Sequence, residues 1–173
     1  MSNARTFLGL EPKPIAVLTP TAAANVDFLT TFSSLFNAYR IVGEGLLPSA
    51  DDYIRLRLAA AGSADTGSNY AEAADDSASS TAVTSLQVTS TVESTGKGAG
   101  FIIDVVNVND ATNLKFLKLT GFSQNATTPS WYVRDYGGFY FAANAVSGGR
   151  LFWNGGSNFA AVGSIAIYPF AKV

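Results

Sequence analysis

Ile54, Leu56 and Leu58 alternate with Tyr53, Arg55 and Arg57. A period of two places the three aliphatics on one face of a β-strand, whereas a helix would scatter them around its circumference. The same period recurs at residues 36–43, where Phe36, Ala38, Arg40 and Val42 alternate with Asn37, Tyr39, Ile41 and Gly43. Near the end of the chain Ile165 and Ile167 fall on one face, and Ser164, Ala166 and Tyr168 on the other. Residues 26–32 and, more weakly, 83–92 also read as strands. Residues 101–108 and 114–122 are apolar on both faces and are joined by a turn at 109–113. Buried on both sides they would be central strands; otherwise one face is an oligomer interface.

Turn chemistry separates these segments. Asn154-Gly155-Gly156-Ser157-Asn158 supplies residues that tolerate positive φ between two β-rich runs, a signal for a hairpin with a lengthened loop. The final strand then needs a partner on each side and is predicted to close a β-sandwich. Gly137-Gly138, between residues 131–136 and 139–141, predicts a two-residue hairpin, with a glycine bulge in a single strand as the competing reading. Residues 59–81 read as a long polar connection in which Tyr70 is the only large apolar side chain. The glycines at 96, 98 and 100 form a turn: no Lys-Ser/Thr pair and no helix follow, so they lack the frame of a phosphate-binding loop. No helical periodicity runs longer than two turns, and the count of roughly eight to ten strands predicts an all-β antiparallel sandwich.

Composition sharpens this. At 173 residues the chain holds one domain with a sizeable core. Residues 1–24, punctuated by Pro12, Pro14 and Pro20, read as an extended N-terminal arm ahead of a sandwich domain at 25–173. Exposed, Ile15, Val17 and Leu18 would be a liability; they either fold back on the domain or form an attachment segment that lies on a neighbour. Hydrophobic residues make up 47% and charged residues only 14%, so a skin of Ser, Thr, Asn and Gly covers the surface and suits contact with other protein. A net charge of -2 with scattered Lys and Arg offers no basic stripe, and nucleic acid is not an expected partner. The chain also contains no apolar run of bilayer length, so no membrane insertion is expected.

Cysteine and histidine are both absent. Ser-His and Cys-His catalysis and the commonest metal ligand go with them, so no cofactor is expected. Asp51-Asp52 and Asp75-Asp76 are adjacent acid pairs, but both lie in turn-like stretches where Asp bonds the local backbone. The acids of the 59–81 connection do not match a calcium loop. An enzyme is therefore not expected. Aromatics are plentiful, and Trp131, Tyr132, Tyr136, Tyr140 and Trp153 are candidate contacts for a glycan or host receptor, against the plainer reading that they fill the core.

Tyr53-Ile54-Arg55-Leu56-Arg57-Leu58, then Asp65-Thr66-Gly67-Ser68-Asn69-Tyr70, and the ending Asn158-Phe159-Ala160-Ala161-Val162-Gly163-Ser164-Ile165-Ala166-Ile167-Tyr168 together resemble the small jelly-roll proteins of tailed bacteriophage virions. These include head-decoration proteins, tail-fibre tips and receptor-binding heads. The resemblance implies a jelly-roll sandwich that works as a homotrimer, attaches through its N-terminal segment and contacts other capsid or tail proteins. It thus predicts a non-enzymatic virion structural protein, made in the host cytoplasm and carried in the virion. The alternative is a head that binds a host-surface glycan or receptor.

Overall fold

A computed structural model describes residues 13–74, 80–125 and 130–172. Residues 1–12 of the arm and the pair Asp75-Asp76 lie outside them. In chain order the strands are β1 (Ala16–Leu18), β2 (Asn25–Phe28), β3 (Phe36–Leu46), β4 (Ile54–Ala60), β5 (Ser63–Ala64), β6 (Tyr70–Ala74), β7 (Ser80–Val83), β8 (Leu86–Gln87), β9 (Ala99–Val106), β10 (Lys115–Asn125), β11 (Ser130–Tyr140), β12 (Gly148–Trp153) and β13 (Ser164–Lys172). No helix occurs among the described residues.

Two antiparallel sheets pack face to face. The larger has eight strands in the order β1-β13-β3-β9-β10-β11-β6-β7, and the smaller joins β2, β12, β4, β5 and β8. Their facing residues form one core. Ile54, Leu56 and Leu58 of β4 are fully buried, as the alternation predicts, and they face Ile41 of β3, Ile103 of β9, Leu119 of β10 and Ile165 of β13. Alternation sets the register throughout, because a slip by one residue would turn each strand's apolar set to water.

β13 lies between β1 and β3, so the last strand does have a partner on each side. The hairpin expected at 154–158 does not form, however: β12 belongs to the smaller sheet and β13 to the larger. The connection crosses from one sheet to the other because its two ends are anchored separately. The buried Asp52 carboxylate accepts from the Gly155 amide at 2.9 and 2.8 Å, and Phe159 is buried beside the Trp153 ring. Pro169, which cannot donate to the ladder, coincides with the register shift in β13.

Gly137-Gly138 is neither a turn nor a bulge. β11 runs straight through it, pairing with β10 at every residue from Ser130 to Tyr140. Gly138 faces inward, where the Leu86 side chain occupies the space a Cβ would need, 2.9 Å away. The 59–81 stretch is not a plain polar connection, since it contains β5, β6 and the start of β7. Tyr70, fully buried, is a core residue, and Ala71 and Ala73 pair with the β11 stretch that carries the two glycines. Small side chains on both strands gave no hydrophobic signal. The strand expected at 83–92 is broken up: Val83 ends β7, Leu86–Gln87 pairs as β8, and Val92 forms an isolated bridge with Asp52. The segment after it stays bonded to β4 through Val88 and Thr89 and passes over Gly121.

Candidate binding surfaces

The outer face of the larger sheet is the most apolar exposed surface among the described residues. Register puts Phe116 and Phe122 of β10, Trp131, Val133 and Phe139 of β11, Ile102 of β9 and Val17 of β1 on this side. Trp131 is 68% and Val133 61% exposed. Phe116 and Phe139 are cross-strand partners whose rings meet edge-on at 5.4 Å, while Phe122 pairs with Val133. Between these two clusters runs a polar row. Arg40 holds Asp104 through two bonds of 2.7 Å, Lys118 pairs with Asp104 across the strands, and Thr120 donates to Asp135 at 2.6 Å. Two cations and two anions leave the row without net charge. The central strands β9 and β10 are thus buried on one face and open on the other.

The candidate attachment residues fall at one edge of this sheet. Ile15 and Val17 are exposed, while Leu18 turns inward against the core. The Ile15 amide donates to the Ile167 carbonyl at 2.8 Å and continues the pairing of β1 with β13.

The five aromatic candidates do not converge. Tyr136, Tyr140 and Trp153 are buried, the last only 1% exposed. Trp131 and Tyr132, adjacent on β11, point to opposite sides. Tyr132 remains 39% exposed and lines a cleft of about 300 Å³ with Ser90, Thr91, Glu93 and Arg134. Sequence could not tell the exposed from the buried members, because all five are large aromatics in β-rich runs.

Polar side chains around the 59–74 segment serve the fold. Burial pushes the Asp65 carboxyl up, but hydrogen bonds from the Asn69 side chain, the Gly67 amide and the Tyr140 hydroxyl outweigh it and hold the group below its ordinary value. Burial raises both the Tyr140 and Tyr70 phenols, which therefore stay protonated donors. Lys115 is fully buried, and its ammonium donates to the Asn113 and Ala142 carbonyls at 3.1 Å each. Burial draws its pKa down. Asp51 accepts from Ser94 while its neighbour Asp52 turns into the 154–158 connection, so the two carboxylates serve separate loops. No group of three or more His, Cys, Asp or Glu that could hold a metal occurs among the described residues.

One surface acid provides a pH test. Asp110, in the β9–β10 turn, accepts from the Asn113 side chain at 2.7 Å and from the Asn113 and Thr112 amides at 2.8 and 2.7 Å. These bonds lower its carboxyl from an ordinary 3.8 to about 2. The folded value is depressed, so the stabilisation is present above the ordinary value and disappears as pH falls towards 2. A side-chain NMR titration is expected to place the Asp110 midpoint close to 2; a midpoint near the ordinary value would mean that the turn is not held by this carboxylate.

No known protein family, curated protein or solved structure matches the chain. What it does has to be argued from these surfaces.

Proposed function

We propose that this protein is a non-enzymatic structural component of a virion, of the jelly-roll type its sequence resembles, and that it assembles with copies of itself through the outer face of the larger sheet. The apolar extent of that face carries the reading. Its seven large side chains leave on the order of 700 Å² exposed, close to the roughly 800 Å² that each partner gives a standard interface. Single apolar residues on a surface are ordinary; a face of this size marks a contact surface. A second copy is the occupant that the charges favour. The polar row is neutral, so two such faces meet without like-charge repulsion, whereas a partner of one sign would find nothing to match. Ile15 and Val17 extend the same face at its edge, so the N-terminal segment and the sheet offer one continuous surface to neighbouring subunits or other virion proteins.

Light scattering on the full chain tests this. A mass of several chains is expected, with three the number the resemblance implies. A single-chain mass at every concentration would overturn the reading.

The alternative, a glycan- or receptor-binding head, is supported by Tyr132, whose half-open ring stands beside Arg134 and Glu93 in a cleft with two hydroxyl side chains. An aromatic flank with polar groups alongside is how sugar rings are gripped. Saturable binding on a glycan array that is lost in Tyr132→Ala would favour it, and silence across the array would remove it.

A further inference from the structure

The opposite surface of the molecule, the outer face of the smaller sheet, is built from arginines. Arg55 and Arg57 project from β4 and Arg150 from β12, with Arg150 and Arg57 direct cross-strand partners. Like charges placed opposite each other repel unless each is compensated. Two of the three are. Arg150 grips Asp27 through two bonds of 2.6 and 2.7 Å. Arg55 binds Glu72 at 3.0 and 3.2 Å and uses its Nε on the Ser85 hydroxyl at 2.8 Å.

Arg57 differs. Its Nε donates to the Thr84 carbonyl at 3.1 Å, and its guanidinium lies 4.4 Å above the centre of the Phe152 ring. These contacts fix the plane of the group but supply no negative charge. No carboxylate lies within ion-pairing distance of it among the described residues. Asp65, which feels its charge, is already held by Gly67, Asn69 and Tyr140. The guanidinium lines an open cleft of about 430 Å³ together with Arg55, Thr84, Phe152 and Asn154.

We propose that this cleft binds a small oxyanion group, a carboxylate or a sulfate, through the terminal amino groups of Arg57. A planar fork pre-oriented by stacking matches two oxygens of such a group, and less rotamer freedom is lost on binding. Asn154 at the rim adds an amide donor, and Arg55 contributes a field without needing to leave Glu72. Arg57 brings one uncompensated positive charge to the cleft, so the site suits a group that carries negative charge. This site lies on the face opposite the proposed assembly surface and does not depend on it.

Amide NMR on the full chain tests the site. Sodium glucuronate, sodium sulfate, sodium chloride at matched ionic strength and neutral glucose are titrated in turn. Saturable shifts at the Thr84, Ser85 and Asn154 amides are expected with glucuronate, sulfate or both, but not with chloride or glucose. A response to one oxyanion only assigns the group, carboxylate or sulfate. Arg57→Gln is expected to weaken binding by at least about tenfold, the loss of a charge-assisted pair. Arg150→Gln is expected to leave it unchanged. Arg57→Lys, which keeps the charge but not the fork, serves in place of the glutamine variant should that one unfold, and is expected to weaken binding too. Shifts absent with both oxyanions, equal with chloride, or undiminished in the Arg57 variants would overturn the proposal.

Discussion

Gly121→Ala is expected to destabilise the fold by about 3 kcal/mol, at the upper end of the range for overpacking a well-filled interior. Gly121 faces inward on β10, and the backbone of Val88 and Thr89 passes directly over it. An added Cβ would overlap the Val88 carbonyl oxygen and lie 2.9 Å from the Thr89 Cα. That segment has no room to withdraw. The Val88 amide donates to the Ile54 carbonyl at 2.9 Å, and the Ile54 amide donates to the Thr89 hydroxyl at 3.0 Å, which fastens it to β4 of the opposite sheet. Relief therefore requires prying the sheets apart or breaking both bonds. Gly137 is the internal control. It lies on the outer face of the neighbouring strand with nothing within 4 Å of an added Cβ, so Gly137→Ala is expected to change stability by no more than about 0.5 kcal/mol. Urea unfolding of both variants checks the contrast, and equal midpoints would mean that the 88–89 segment does not pack as described.

The second large effect is on assembly. Phe122 and Val133 are cross-strand partners in one of the two apolar clusters of the outer face, both exposed in the single chain. Glutamate at both positions is expected to reduce the assembled species to single chains, because two charges would be buried unpaired on each copy. Stability of the single chain should be little affected, since neither side chain belongs to the core. Light scattering and thermal unfolding together separate the two effects. An unchanged mass would place the contact elsewhere, while a collapsed fold would show that these residues support the sandwich itself.

What was legible in the sequence follows from where each signal originates. β4 could be read because its inward aliphatics and outward arginines alternate without a break, and both faces meet what that pattern demands. β13 could be read for the same reason. The connection at 154–158 could not, since its glycines and asparagines suit a chain that turns back in one sheet as well as one that crosses to the other. Only the long-range anchors, Asp52 to Gly155 and Phe159 in the core, choose between them. Gly137-Gly138 misled in a related way: glycine signals a turn, but at position 138 it makes room for a side chain 52 residues earlier, Leu86. β6 was hidden because alanine and glycine pair there without leaving a hydrophobic trace.

The surfaces were partly legible. Two-sided apolar patterning at 101–108 and 114–122 pointed either to central strands or to an interface; the strands are central in the larger sheet, with one face buried and the other exposed. Arg57 was visible only as an outward residue of a good strand. Its signal lies in the cross-strand placement of Phe152, Arg55 and Arg150, which depends on the pairing of β4 with β12 and on no local motif.

The measurement that bears most directly on the assembly face is acrylamide quenching of tryptophan fluorescence as a function of protein concentration. The chain has two tryptophans: Trp153 is buried within the sandwich, and Trp131 lies on the outer face. Copies meeting through that face are expected to shield Trp131, so that the quenchable fraction falls as concentration rises, with Trp153 protected throughout. A Trp131 that stays fully quenchable in the assembled protein, or at every concentration, would contradict the account.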